Sequence, residues 1–259
     1  MKHLLKARLM PPSYNKESPE TIQQLFDHIA KRYDFINSMM SLQMHKAWNS
    51  KLTSLLAQHK NGRVLLDLCC GTGEIAFSLL GKAPALHKAY LLDFSDKMLE
   101  VARYKADKTS RSKKHDIAYL HADAQAIPLD RESVDIASTA YGIRNIKSPL
   151  ACAKEVMRVL KPEGLWGILE LTRPTNPLLR ALHTLYLKTF VPTVGRLFAS
   201  NRDAYSYLSE SIKQFTPPQK LAAVLQEAGF GDIKTVSLAG GIATITLATK
   251  AVNANNKRT

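Results

Sequence analysis

Long apolar runs are missing from this chain of 259 residues, and none approaches the roughly 18 consecutive apolar residues that a membrane-crossing helix needs. The basic start, MKHLLKARLM, has no apolar core region and no small-residue cleavage site. It does not read as a secretory leader, and the expected location is cytoplasmic. Cysteine is scarce too. Cys69 and Cys70 are adjacent and Cys152 stands alone, without C-x-x-C spacing, so neither a metal site nor a disulfide framework is expected. Acid is the third shortage: 22 Asp and Glu face 36 Lys and Arg, for a formal charge of +14. Such a field draws a protein toward anionic surfaces. Part of it lies in one segment with Arg103, Lys105, Lys108, Arg111, Lys113 and Lys114, read here as a solvated helix end and loop. Repeats and low-complexity blocks are absent, and the length allows one large α/β domain with a real core.

What is present centres on residues 64–76, VLLDLCCGTGEIA. Four apolar residues and Asp67 form a buried strand, Gly71 and Gly73 a tight turn, and a helical pattern follows. That is the first unit of a nucleotide-cofactor fold, with glycine where a ligand must approach the backbone. Gly71 to Ala76 also fits the loose dinucleotide pattern G-x-G-x-x-G/A, which is weak evidence alone. Two further acids decide the reading. Asp93 ends a second apolar run 20 residues after Gly73, where a carboxylate takes ribose hydroxyls. Asp123, followed by Ala124, ends a third run, where a carboxylate or amide suits an adenine edge. An acid at three successive strand ends repels a pyrophosphate and favours a cationic cofactor without phosphates, S-adenosyl-L-methionine.

The alternation continues as strand 63–68, helix 73–81, strand 89–93, helix 95–106, strands 117–121 and 134–139, helix 149–160 and strand 165–171. Lys161-Pro162-Glu163-Gly164 reads as a helix stop and turn. Repeated βα units imply a parallel sheet with ligands at its carboxyl edge. Residues 1–20 read as a loose arm. Helical spacing over 21–40, then a helix capped by Ser41 and running to Leu56, gives an N-terminal lid spanning 1–58. Residues 177–230 read as a helical insertion on the acceptor side, with helices over 178–199, 203–213 and 218–228. The first of these is rich in Leu, Tyr and Phe, which reads first as core packing. Segments 232–238 and 242–249 read as a terminal antiparallel hairpin around Gly240-Gly241.

Several motifs in order then resemble the ubiquinone/menaquinone biosynthesis C-methyltransferase family. They are FDHIAKRYDFINSMMSLQMHKAW, LDLCCGTG, LLDFSDKML, HADAQAIPL, AYGIRNI, KEVMRVLKPEG, ILEL, AYSYLSESIKQF, EAGF and GGIATITLATK. The resemblance implies a class I methyltransferase fold: Rossmann-like and mostly parallel, with a C-terminal antiparallel hairpin. It also implies a prenylated hydroquinone acceptor, and a demethylmenaquinol is preferred to a ubiquinone-pathway benzoquinol. Its cofactor contacts carry over to Thr72, Asp93, Asp123 and Ala124. Three departures stand out: Gln43 for a usual glycine in the lid, Ala140 for a serine near the cofactor, and Thr246 for a histidine on the acceptor side.

Methylation at ring carbon needs carbon, methyl and sulfur in line and a stabilised phenolate. Arg144, always charged and with a planar fork, suits the second task, and Asn145 can orient a hydroxyl or water. The alternative for Arg144 is an ion pair that pins its loop. Acceptor-side candidates are Tyr33, Asp34, Asn37, Tyr141 and Tyr205, while His45 and His121 are candidates for proton removal. As partners, the tail and the charge imply a peripheral anionic membrane contact, and a homo-oligomer or a complex with other quinone-biosynthesis enzymes is compatible with the sequence. A nucleic-acid methyltransferase is disfavoured, because TAYGIRN stands where an N/D-P-P-Y/F motif or a catalytic cysteine belongs. A nicotinamide oxidoreductase lacks its Tyr-x-x-x-Lys or His relay, and a non-catalytic scaffold would have to fail to bind cofactor.

Overall fold

A computed structural model describes residues 19–108, 114–198 and 217–251. Among the described residues, seven strands form one sheet: β1 (Val64–Leu68), β2 (Lys88–Asp93), β3 (Asp116–His121), β4 (Val134–Ala140), β5 (Leu160–Leu171), β6 (Phe230–Leu238) and β7 (Ala243–Lys250). Their order is β3-β2-β1-β4-β5-β7-β6. The first five run parallel, and β7 is antiparallel to both β5 and β6. The helices are α1 (Pro19–Ile29), α2 (Tyr33–Met40), α3 (Met44–Leu56), α4 (Glu74–Lys82), α5 (Asp96–Lys108), α6 (Pro149–Val159), α7 (Pro177–Phe198) and α8 (Pro218–Glu227). The expected elements 203–213 and the arm before residue 19 lie outside the described residues, as do Tyr205, Arg111 and Lys113.

The sheet has helices on both faces, and alternation along the strands decides which residue meets which layer. Leu65, Leu91, Ile136, Leu169 and Ile245 pack with Leu52 and Leu56 of α3, Leu79 of α4 and Leu99 of α5. Their neighbours Leu66, Leu92, Ala137, Ile168 and Ala248 pack with Val156 of α6 and Leu221 and Leu225 of α8. Reversal of strand order at β1 and β4 opens a crevice at the carboxyl edge, where such sheets bind ligands.

Four expectations change. First, α3 belongs to the core rather than to a lid: Leu52 and Leu56 are fully buried against the backbone of Gly167, whose missing side chain leaves them room. Second, α8 packs against α6, β6 and β7, so of the described helices in 177–230 it is α7 that faces the acceptor side. Third, Ser41 does not cap α3. It closes α2, and the turn into α3 runs through Leu42 and Gln43 with φ of 49° and 66°, backbone that glycine adopts at least cost. The glycine expected at position 43 has that physical reason. Fourth, β5 starts before residue 165, because Leu160 pairs with Val134 ahead of a bulge. The basic segment is also not simply solvated. Lys105 enters an internal network described below, and Arg103 lies over the Tyr119 ring.

Candidate active site

The glycine turn after β1 is shaped by two aspartates, Asp67 buried and Asp93 half-buried. Asp93, at the end of β2, accepts the Gly71 N–H at 2.8 Å and the Ser95 N–H at 2.9 Å. Asp67, inside β1, accepts the Ser138 hydroxyl at 2.6 Å and the Ala76 N–H of the first turn of α4 at 3.2 Å. Gly71 has φ of 53°, and the position of a missing Cβ meets only a Tyr33 ring carbon at 3.8 Å, so the turn offers bare backbone to a ligand. Gly73 has φ of 80° and its missing Cβ would strike the Phe77 ring at 2.6 Å. Its role is to let α4 start against the sheet, and it lines none of the three cavities that follow.

The first cavity runs along the carboxyl edge. It is lined by Gly71, Asp93, Ser95, Asp123, Ala124 and Asn145, among others, with Phe26 and Tyr33 closing it from the N-terminal helices. Burial raises the Asp93 carboxyl above its ordinary range, against the pull of its backbone hydrogen bonds. Asp123 accepts from the Gln125 N–H at 2.9 Å, and the same Gln125 takes the Ser148 N–H. Ala140 lies on this wall, where the family serine was expected. A smaller hollow beside it joins Asp67, Cys69, Thr72, Glu74 and His45. There Asp67 is raised to about 7, chiefly by burial. A carboxyl so placed gains from a cationic group beside it.

A larger, mostly apolar cavity of about 280 Å³ lies on the other side. Met40, Leu42, Met44, Leu171, Leu179 and Leu182 line it, with Asn37, His45, Arg144 and His183 as polar members. Tyr33 and Tyr141 line both this cavity and the first, and so stand between them. The Tyr141 hydroxyl donates to Asn49 at 2.9 Å, and burial raises both phenols.

Several candidates take roles other than those expected. Thr72 is buried and turned from the first cavity: its hydroxyl donates to Asp34 at 2.6 Å and receives Lys105 at 2.7 Å. Asp34 also pairs with Lys105. Asp34 therefore latches α2 onto α5 and the glycine turn and lines no described cavity. The Ser95 hydroxyl donating to Asp27 ties α1 to the same edge. Arg144 and Asn145 part company, since Arg144 lines the large cavity and Asn145 the first. Arg144 is buried, pairs with Glu170 and donates to the Tyr141 carbonyl at 2.6 Å. Its charge is committed to the loop-pinning ion pair rather than held open for a phenolate. Glu170 has no role assigned from the sequence; its signals there are its place in the ILEL motif and an acid ending the apolar run of β5. His121 donates from Nε2 to the Phe94 carbonyl at 3.0 Å and is exposed, a structural contact. Thr246 is buried in β7 opposite Ile168 and lines no described cavity, so the acceptor side does not feel that departure. Among the described residues there is no cluster able to hold a metal.

The ubiE/COQ5 methyltransferase family model matches residues 14–250. This chain belongs to that family. A demethylmenaquinone methyltransferase of Protochlamydia amoebophila is 46% identical over 90% of this chain and 96% of its own length. One from Chlamydia muridarum is 43% identical over 89% and 97%. Among solved structures, an S-adenosylmethionine-dependent methyltransferase from Thermotoga maritima has a TM-score of 0.59 at 17% identity, covering 88% of this chain and 99% of that one. Another, from Aquifex aeolicus, has a TM-score of 0.53 at 15% identity over 92% and 99%. At such identities the likeness is one of fold. The protein is a methyltransferase, with a class I fold and one family signature across nearly its full described length.

The Arg144–Glu170 pair generates a stability prediction. Removing one partner of a buried pair leaves the other charge uncompensated, at about 3–5 kcal/mol. Arg144→Ala should lower the unfolding free energy in urea by that amount, and adding Glu170→Gln should restore part of it. A loss under about 1 kcal/mol would show that the pair does not hold the loop.

Proposed function

We infer that this protein transfers a methyl group from S-adenosylmethionine to a ring carbon of a demethylmenaquinol, giving menaquinol. The observation that carries the reading is the junction at Tyr33 and Tyr141, where an acid-lined slot on the sheet edge meets a larger apolar cavity. The chain's 46% identity to a demethylmenaquinone methyltransferase supports the same acceptor.

The residues suit the cofactor. Gly71 leaves backbone bare for the ligand, Asp93 offers carboxylate to ribose hydroxyls, Asp123 and Ala124 flank the adenine end, and Asp67 favours an ammonium group. Bound there, the sulfonium supplies an electrophilic methyl. The chain's part is to hold and dry the junction. Asp34, Lys105 and Thr72 keep α2 down over the turn, and the two tyrosines wall the reacting centre from water. Arg144 and Glu170 fix the 141–145 loop that carries Tyr141. Excluding water strengthens every electrostatic contact inside. The apolar cavity takes the prenyl side of the acceptor.

The test is to incubate the protein with methyl-labelled cofactor and chemically reduced demethylmenaquinone and identify the product by mass. A labelled product heavier by one methylene is expected. Transfer to RNA but not to the quinol would contradict the reading.

We also propose that the protein works as a peripheral protein on anionic membrane. The acceptor's tail lies in lipid, the chain carries +14, and Leu42 and Leu182 at the large cavity are 58% and 56% exposed, with Leu178 and Leu185 further along α7 also exposed. Each basic residue near such a surface contributes about 1 kcal/mol. Co-sedimentation with anionic liposomes should weaken as salt rises; equal binding to neutral vesicles at high salt would contradict the electrostatic part.

A further inference from the structure

Among the described residues, six titratable side chains line the large cavity: Tyr33, His45, Tyr141, Arg144, His183 and Tyr186. A quinol acceptor must lose a hydroxyl proton as its ring carbon attacks, so a side chain placed there to receive it is a candidate base. Burial raises the three phenols, which are protonated at neutral pH. Tyr141 donates to Asn49 and Tyr186 to the Met40 carbonyl. Arg144 never deprotonates and pairs with Glu170. Two histidines remain. His183 lies on α7 and lines only the large cavity. His45 lines both the large cavity and the hollow that holds Asp67 and Thr72, at the end where Tyr33 and Tyr141 meet the cofactor slot.

The surroundings of His45 fix its tautomer. The Ser41 hydroxyl donates its single proton to the Asn37 carbonyl at 2.7 Å. The same oxygen lies 2.6 Å from His45 Nδ1. With that proton spent, Nδ1 must be the donor, which leaves the lone pair on Nε2. Nε2 lies 4.0 Å from the Glu74 carboxylate, whose side chain is 41% exposed. The turn that brings Ser41 onto His45 is the one with two consecutive left-handed residues, Leu42 and Gln43. Backbone held in such a conformation gathers at working sites.

We propose that His45 is the general base of the methyl transfer, taking the acceptor's hydroxyl proton on Nε2 and passing it through Glu74 to solvent. The proposal rests on the quinol reading above. The O–H bond breaks as N–H forms, and the oxygen's electrons move through the ring to the attacking carbon. A carbon–carbon bond forms as the methyl–sulfur bond breaks, its pair staying on sulfur. The oxygen is then a carbonyl, and the attacked carbon carries both hydrogen and methyl. Loss of that hydrogen as a proton and return of one to oxygen restore the aromatic ring, so one proton leaves in all. Burial lowers the His45 pKa below the usual histidine range, Lys46 lowers it further, and Glu74 and Asp34 oppose them. The base form is therefore the one present at neutral pH.

Two readouts test this. In the ligand-free protein, nitrogen NMR of the imidazole should show His45 neutral at pH 7 with the proton on Nδ1, and Ser41→Ala should redistribute it. In turnover with reduced demethylmenaquinone, His45→Gln should lower kcat at pH 7 by on the order of 100-fold, with cofactor affinity by calorimetry and melting temperature little changed. The deficit should narrow as pH approaches about 10, where a phenolic hydroxyl ionises unaided. A proton on Nε2, a pH-independent deficit, or an unchanged kcat in His45→Gln would overturn the role of His45 while leaving the quinol reading intact. A deficit with this pH signature in His183→Gln instead would move the role to α7. Absence of methylated quinol with the unaltered protein would overturn the reading and the base together.

Discussion

The Asp93 carboxylate, accepting the Gly71 N–H from one side and the Ser95 N–H from the other, is the contact on which the site depends. It ties the turn after β1 to the end of β2 and fixes the bare face of Gly71 beside a negative group. Asp67 does the same work one layer deeper, joining β1 to β4 through Ser138 and to α4 through Ala76. Both carboxyls resist burial, and both have raised pKa values for that reason. A fold seeking stability alone would not place two acids there. In the proposed function, a ligand carrying an ammonium group, a sulfonium and ribose hydroxyls would offset the cost of placing them there.

Above that floor, the N-terminal helices are held by polar contacts as well as by buried Ala30, Ile36 and Met40. Asp34, Lys105 and Thr72 form one latch, and Asp27 with Ser95 the other. Behind them α3 is rigid, with Leu52 and Leu56 fully buried. Tyr33, carried by the latched helix α2, and Tyr141, carried by the loop that Arg144 pins to Glu170, then stand between the two cavities.

Much of this was legible in the sequence, because strands buried on both faces read as apolar runs and the glycine turn has few substitutes. The ends of β1, β2 and β3, with Asp67, Asp93 and Asp123, follow from that local pattern. Choices of partner over long separations do not. Nothing near Thr72 says that its hydroxyl turns to Asp34, or near Arg144 that its charge is met by Glu170, 26 positions away. Ser41 looked like a helix cap because its type and position fit one; the left-handed turn at Leu42 and Gln43 gives it to His45 instead. Helix α3 was assigned to the lid because amphipathic spacing does not distinguish a helix lying on a sheet from one lying over a ligand. Thr246 was tied to the acceptor by resemblance, while its place in the middle of β7 depends on sheet order, which periodicity does not encode.

The most direct test of the account is a calorimetric titration of S-adenosylmethionine into the unaltered protein and into Asp93→Ala. If Asp93 both shapes the turn and receives the ribose, losing it should weaken binding by about 1.5–3 kcal/mol, roughly 10- to 100-fold, in a protein that still melts cooperatively. An unchanged dissociation constant would contradict the account at its foundation.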